Sequence, residues 1–123
     1  MLGRAVAHAI ETRSAAAIVH PAVIDAVADH DLFFLNLECC ISTRGERWPD
    51  PRKPFFFRAP PAAVEVLTRL GVDCVTLANN HALDYGYEAL LDTIDHLTTA
   101  GIAVVGAGED LASARRPRTL EAG

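Results

Sequence analysis

The sequence predicts an α/β domain whose strands are mainly parallel and are joined by helices. Three observations support this prediction. Apolar runs of strand length alternate with amphipathic segments of helical periodicity along the chain. The runs are continuous, which is typical of parallel strands covered on both faces. Glycine or proline stands at most of the boundaries. We interpret residues 1–123 as a single domain, because a chain of 123 residues is too short for two.

The N-terminal third contains two predicted helices and one predicted strand. Residues 3–13 carry apolar side chains on one helical face. Pro21 opens a second short helix, over residues 21–29, since proline at the first helical position needs no amide donor. Residues 31–38 form a continuous apolar run, which predicts a strand covered on both faces.

The middle of the chain begins with a polar segment that is rich in Arg, Pro and Gly, residues 42–54. It predicts an exposed loop of about a dozen residues, a length that is often functional. Three phenylalanines, Phe55 to Phe57, follow as an extended segment, and core packing is a better interpretation of them than an aromatic ligand platform. Two prolines then open a helix over residues 62–70, and Gly71 ends it.

The last third continues the alternation of strands and helices. Residues 72–77 predict a buried strand, residues 87–99 a helix and residues 102–105 a third strand. A glycine-rich turn leads to a last short helix that Pro117 stops. The apolar face of the long helix consists of four residues at helical spacing: Leu90, Leu91, Ile94 and Leu97.

Composition excludes several classes of protein. The formal net charge of -5 makes nucleic acid an unsuitable partner, because a phosphate backbone is bound by a basic surface. No apolar run reaches the roughly 18–20 residues that a membrane span needs. Cys39, Cys40 and Cys74 have neither zinc-site spacing nor the pattern of a disulfide framework, so we expect buried, reduced thiols.

Polar side chains follow two of the predicted strands. Asn36 and Glu38 end the first, and strand alternation places them on the same side. Asn79, Asn80 and His81 follow the second. Ligands bind outside the carboxyl ends of parallel strands in open α/β sheets. Carboxylate, amide oxygen and imidazole together suit a divalent ion such as manganese, iron or zinc, so we expect a metal site here.

Each residue has a proposed role and a structural alternative. Glu38 and Asn80 are metal-ligand candidates, and His81 is the candidate acid or electrostatic stabiliser beside a phosphate-like oxyanion. Asp84 lies three residues further on and could orient the imidazole by accepting its other N–H. Alternatively, Asn79 and Asn80 serve as turn residues, Asp84 caps the next helix, Glu38 is a solvated carboxylate and His81 is structural.

Four segments resemble the CapA family of capsule-synthesis proteins, which are linked to poly-gamma-glutamate. They are Phe34-Leu-Asn-Leu-Glu38, Leu77-Ala-Asn-Asn-His-Ala-Leu-Asp-Tyr-Gly86, Asp92-Thr93 and Gly101-Ile-Ala-Val-Val-Gly-Ala-Gly108. The domain of this family is similar to the calcineurin-like metallophosphoesterases. The resemblance extends from Met1 to about Pro117, and the segment around Asn79, Asn80 and His81 is its most specific part.

The resemblance implies roles for single residues. Asn80 and His81 resemble the Asn-His pair of metallophosphoesterases, in which asparagine binds metal and histidine faces the phosphate. Glu38 resembles a bridging or second acidic ligand, and Asn36 joins the candidate ligands. The segment from Met1 to Arg4 resembles the end of the opening motif Gly-Asp-x-Met-Leu-Gly-Arg, whose aspartate is the first metal ligand. Arg4 and Asn79 are therefore further candidate binding residues.

The resemblance also implies that this chain holds part of a larger site. The first aspartate would precede Met1, and later histidine ligands would follow Gly123. We therefore expect a partial layered metallophosphoesterase-type fold that is incomplete at both ends, with a bare sheet edge, an incomplete divalent-metal site and little or no catalysis.

Two functions remain open at this point. The parent protein is either a metal-dependent hydrolase of phosphoester-like bonds, or a non-catalytic component of capsule synthesis or export that binds an acidic polymer. A plain α/β domain with polar turns is a third interpretation. The implied partners are an acidic polymer or phosphoester-like substrate and the capsule synthesis machinery, and the implied location is the cell envelope.

Overall fold

The computed structural model describes residues 2–122, which form five α-helices, one 3-10 helix (η1) and five strands. In chain order these are α1 Ala5–Arg13, η1 Ala15–Ala17, α2 Pro21–Val27, β1 Phe34–Asn36, β2 Cys40–Ile41, β3 Arg58–Ala59, α3 Ala63–Arg69, β4 Cys74–Thr76, α4 Gly86–Thr99, β5 Ala103–Val105 and α5 Leu111–Ala114. All strand pairing in this range is parallel. The predicted α/β class with parallel strands is confirmed, and the arrangement is consistent with a partial layered fold.

The strands form two small sheets. The first has the order β1-β4-β5, with Asn36 opposite Thr76 and Thr76 opposite Val105. The carboxyl ends of β1 and β4 are therefore neighbours, as the site prediction requires. The second sheet pairs β2 with β3, and Cys40 lies opposite Arg58. This second sheet was not predicted, because each of its strands has only two residues and shows no periodicity.

Local signals explain the helix boundaries. Pro21 occupies the first turn of α2, and His20 caps that helix because its Nδ1 accepts a hydrogen bond from the Ala22 N–H at 3.2 Å. After α4, Gly101 has a φ of 81°, a left-handed conformation that suits glycine and allows the chain to turn into β5.

The core is one cluster of buried side chains to which both sheets and helices α1, α3 and α4 contribute. Its fully buried apolar side chains include Ile41, Val66, Val75, Leu77 and Leu97. All three cysteines are free and buried, as predicted. Burial raises the pKa of the Cys39 thiol to about 11 and that of Cys40 to about 12, so both remain protonated thiols at neutral pH. No helix within residues 2–122 is long and apolar enough to cross a membrane.

Two predictions of burial are wrong in the described part of the chain. Strand β1 was expected to be covered on both faces, but Phe34 is 56% exposed and Asn36 is also exposed. The reason is that only one face of β1 is covered, so burial alternates along it and Leu35 is half-buried between two exposed residues. On α4, Leu91 was predicted to lie on the apolar face but is 41% exposed. Thr93, a polar residue, is buried on the face of α4 that packs into the core.

The three phenylalanines also differ from expectation. Only Phe57 packs in the core, whereas Phe55 is 52% exposed and Phe56 is half-buried. The extended segment leads into β3, which begins at Arg58. Successive side chains of an extended chain point to opposite sides, so three consecutive phenylalanines cannot all face one core.

Candidate functional site

The site is built on the turn that follows β4. Asn79 Oδ1 accepts a hydrogen bond from the His81 backbone N–H at 2.9 Å, which is the contact of an Asx turn. The Asn79 amide also donates from Nδ2 to Asn36 Oδ1 and to the Leu37 carbonyl oxygen, both at 3.0 Å. Asn79 is therefore a turn residue, and it also ties the end of β4 to the end of β1.

The same hydrogen-bond network extends to Glu38. Asn36 Nδ2 donates to Glu38 Oε1 at 2.9 Å, so both side chains lie on one side of the strand end, as alternation predicts. Asn36 and Glu38 are exposed or half-buried at the edge of the sheet. The structure thus connects Glu38, Asn36, Asn79 and His81 through consecutive contacts.

Behind the turn, His81 contacts the carboxylate of Asp84. Nδ1 of His81 lies 2.8 Å from Asp84 Oδ2, which also accepts the Phe57 N–H at 2.6 Å. With the proton on Nδ1, His81 donates to the carboxylate, and Nε2 is left to accept from Asn80 Nδ2 at 3.1 Å. Asp84 is completely buried. The helix cap of α4 is Tyr85, so capping does not account for the Asp84 carboxylate.

Lys53 is a site residue that the sequence analysis missed. Its ammonium Nζ lies 2.9 Å from Asp84 Oδ1 and 2.6 Å from the Asn80 carbonyl oxygen, and its side chain is only 17% exposed. Asp84 Oδ1 accepts no well-aligned hydrogen bond within residues 2–122, so charge pairing with Lys53 is what compensates it. Lys53 lies in a segment predicted to be an exposed loop, far from Asp84 in sequence, and no periodic signal could have found it.

The segment 42–54 is a mostly exposed loop, as predicted, and it is also attached to the fold by specific contacts. Ser42 is buried and donates from Oγ to Asp92 Oδ2 at 2.6 Å, and Arg44 Nε donates to the same oxygen at 3.0 Å. The hydrogen bonds from Arg44 and Ser42 lower the pKa of Asp92 to about 2. The Trp48 N–H donates to the Asp84 carbonyl oxygen at 2.9 Å. These contacts fix the approach of Lys53 to the site.

Arg4, the remaining candidate, does not join this network. Its guanidinium Cζ lies over the ring of Phe55, 5.8 Å from the centroid. Phe55 stacks on Phe57 with centroids 6.3 Å apart, and the Phe57 centroid lies 4.4 Å from that of the His81 imidazole. Two aromatic rings therefore separate Arg4 from His81. Met1, at the start of the same motif, lies outside the described residues.

Two cavities flank the Asn79-Asn80 turn, and four residues line both of them: Asn79, Asn80, Ala82 and Leu83. One, of about 780 Å³, continues towards Tyr87 and Leu111. The other, of about 330 Å³, continues towards Trp48 and Lys53. Together they form an open cleft that passes the turn.

The donors at the ends of β1 and β4 are chemically suited to a divalent ion but too few to enclose one. They are the carboxylate of Glu38 and the amide oxygens of Asn36 and Asn80, and Asn36 Oδ1 already accepts from Asn79. Structural and catalytic ions take roughly four to six ligands. Within residues 2–122, no three His, Cys, Asp or Glu side chains are placed to hold a metal. The described residues do not form a complete metal centre.

Several bacterial proteins resemble this chain in sequence. A probable polyglutamine synthesis accessory protein of Mycobacterium tuberculosis is 46% identical over 93 residues, which are 76% of this chain and 24% of that protein. The PGA biosynthesis protein CapA of Bacillus subtilis is 35% identical over 54 residues, 44% of this chain and 14% of CapA. An uncharacterised protein of Sinorhizobium fredii is 30% identical over an alignment of 124 positions, gaps included, which covers 95% of this chain and 27% of that protein.

The chain thus spans about a quarter of the length of the mycobacterial relative. A family model described as bacterial capsule synthesis protein PGA_cap matches residues 1–123. This match and the relatives confirm the resemblance to CapA, and the family is metallophosphoesterase-like. The chain belongs to the PGA_cap family of bacterial capsule synthesis proteins.

Proposed function

We propose that this chain carries part of a hydrolytic site for phosphoester-like or related bonds, which the whole protein uses in capsule polymer synthesis. The observation that supports it best is the contact between His81 and the buried carboxylate of Asp84, at 2.8 Å. A histidine oriented by a buried carboxylate is a recurrent arrangement for acid–base chemistry.

In this proposal, the imidazole acts through Nε2. Asp84 accepts the proton on Nδ1 and fixes the ring, while Nε2 faces the Asn80 amide at 3.1 Å. A substrate oxygen would replace that amide. A protonated His81 then donates from Nε2 to the developing oxyanion, and the Asp84 carboxylate offsets the positive charge of the ring. Lys53 keeps Asp84 in place through the contact at 2.9 Å.

Glu38, Asn80 and Asn36 are the residues we propose as contributors to a divalent-metal site for manganese, iron or zinc. The ion would supply charge stabilisation to a phosphoryl or carbonyl oxygen. The remaining ligands would come from residues outside this chain, since the relatives are much longer than the segment they share with it. The isolated chain is then a weak metal binder with little or no activity.

The test uses the complete open reading frame that contains residues 1–123. The purified protein is assayed for hydrolysis of bis(4-nitrophenyl) phosphate with added manganese, and His81→Gln is compared with the unaltered protein. Loss of a general acid lowers kcat by roughly 10²- to 10⁴-fold. His8→Gln, an exposed histidine on α1, is the matched control and retains the activity. Equal rates of hydrolysis by the protein and its His81→Gln variant would contradict the proposal.

A non-catalytic role in polymer binding is the second candidate. It is favoured by the open cleft, in which cavities of about 780 and 330 Å³ meet at the Asn79-Asn80 turn and leave room for an extended ligand. In this role the protein binds an acidic capsule polymer within the capsule synthesis machinery at the cell envelope. Retention of poly-gamma-glutamate by the complete protein, with no phosphodiester hydrolysis under any metal condition, would favour this function over the first.

A further inference from the structure

A second concave site lies on the opposite side of the three phenylalanines, Phe55 to Phe57, from His81. Its cavity of about 160 Å³ is lined by Arg4, Arg47, Pro54, Phe55 and Phe56. We call it the arginine pocket. A cavity of this size is too small for a drug-sized ligand but has room for a single small group.

The charges around the arginine pocket are uncompensated. Arg4 and Arg47 are exposed, and neither forms an ion pair with any residue in the described range 2–122. No carboxylate from that range lines the cavity. Two guanidinium groups thus face one small space in a chain whose formal net charge is -5. Like charges at one site repel each other, and a bound anion removes that repulsion.

Both guanidinium groups are held by aromatic rings. Arg4 Cζ lies 5.8 Å from the centroid of Phe55, and Arg47 Cζ lies 5.4 Å from that of Phe56. A cation–π contact orients the group without using its N–H donors. The donors remain free for the bidentate hydrogen bonds that arginine forms with carboxylates and phosphates.

The arginine pocket is also linked to the candidate site. The ammonium of Lys53, which pairs with Asp84, also contacts the ring of Phe56, 5.8 Å from its centroid. Phe55 stacks on Phe57, the ring that contacts His81. An anionic group in the pocket would therefore be separated from the imidazole by a short aromatic layer.

We propose that Arg4 and Arg47 form an oxyanion subsite that binds a carboxylate or phosphate group of an extended anionic ligand. The subsite is distinct from the His81 site and does not require His81 to be catalytic. Its chemistry, two planar guanidinium donors facing one small cavity, fits an oxyanion from either source.

The experiment measures binding to the 123-residue chain at low ionic strength with two probes, hexa-L-glutamate and inorganic phosphate. Trp48 is the single tryptophan and follows Arg47 directly, so its fluorescence is a local reporter. Arg4→Gln and Arg47→Gln are each expected to weaken binding by roughly tenfold or more, because each removes charge-assisted hydrogen bonds. Arg115→Gln, which removes the same charge from an exposed position far along the chain, is expected to change affinity by less than about twofold.

Arg47→Lys supplies a second measurement, because it keeps the charge and loses the planar fork. Binding weaker than that of the unaltered chain, but stronger than that of Arg47→Gln, supports a guanidinium subsite. Saturable binding of hexaglutamate identifies carboxylates as the source, and saturable binding of phosphate identifies phosphate. Binding of neither probe, or an equal loss in Arg115→Gln, overturns the proposal. Binding of the two probes is measured without added metal and apart from phosphodiester hydrolysis, so failure of the hydrolase proposal is distinguishable from failure of this one.

Discussion

Asp84 contacts His81 from a fully buried position, with 2.8 Å between carboxylate Oδ2 and imidazole Nδ1. The other carboxylate oxygen faces the Lys53 ammonium at 2.9 Å. A buried carboxylate is tolerated only where partners replace the water it has lost, and here a cation, an imidazole and a backbone N–H do so. The site is therefore a structural element of the fold as well as a candidate for chemistry.

The first prediction concerns the stability of this cluster. Asp84→Asn is expected to lower the free energy of unfolding by about 3–5 kcal/mol, because it leaves the largely buried Lys53 ammonium without its counter-charge. Urea unfolding followed by circular dichroism measures the change. Asp25→Asn, at an exposed position on α2, is the control and should stay within about 0.5 kcal/mol of the unaltered chain.

A double-mutant cycle separates the ion pair from the other effects of Asp84. Lys53→Met keeps much of the apolar stem and removes the charge. If the pair matters, the double variant loses less stability than the sum of the two single variants, by about 1 kcal/mol or more. Simple additivity would show that the 2.9 Å contact contributes nothing specific.

The second prediction is an acid-dependent loss of stability that Asp92 causes. Hydrogen bonds from Arg44 and Ser42 lower its folded-state pKa from the ordinary 3.8 to about 2. The unfolded chain therefore binds this proton first, so the stabilisation is fully present above about pH 4 and is lost as pH falls towards 2. Unfolding midpoints measured from pH 7 to pH 2 should show Asp92→Asn less stable at neutral pH, with the difference shrinking on acidification.

The salt dependence of the stability difference between the unaltered chain and Asp92→Asn provides a check. The Arg44 side chain is 59% exposed, so its charge interaction with Asp92 is screened, and the difference at pH 7 should be smaller in about 1 M sodium chloride. A difference that stays constant from pH 7 to pH 2 would exclude Asp92 as the titrating group.

Local patterns predicted those parts of the fold that depend on neighbouring residues. The proline at the start of α2, the glycine after α4 and the apolar runs of β4 and β5 all lie where expected. Exposure of Phe34 was not predictable in this way, because an apolar run does not reveal whether other elements cover both faces of its strand.

The candidate site was predictable to the extent that it is local. The pairing of β1 with β4 and the short spacing from His81 to Asp84 bring together residues that strand-end rules select. Lys53 arrives from a distant segment, and its contact depends on how Ser42 and Arg44 anchor that segment to α4. No spacing rule encodes such a contact, which is why the lysine was missed.

The third prediction tests whether the segment 42–54 is a fixed part of the structure. Gly45 has a φ of 81°, and a Cβ there would collide with the Tyr85 carbonyl oxygen. Gly71 has a similar φ of 71°, and a Cβ there would meet no atom of the described residues within 4 Å, so it is the matched control. Gly71→Ala should cost about 1–2 kcal/mol for left-handed backbone alone. Gly45→Ala should cost clearly more and should also disturb Trp48 fluorescence.

If both alanine variants lose the same stability, the segment moves freely enough to relieve the collision. The inference that this segment anchors Lys53 would then be wrong. The double-mutant cycle of Asp84 and Lys53 should in that case show no coupling either.

The last prediction concerns metal binding by the 123-residue chain. Glu38 is the only carboxylate among the three proposed ligands, and it is linked to Asn36 at 2.9 Å. A hard or borderline divalent ion gains most of its attraction from a charged ligand, so Glu38→Gln should weaken manganese binding by about tenfold or more. Electron paramagnetic resonance of free manganese measures the affinity directly. Glu46→Gln, at an exposed position outside the cleft, removes the same charge and should leave the manganese affinity unchanged. Equal weakening in both variants would mean that manganese responds only to net charge, and Glu38 would then lose its place among the proposed ligands.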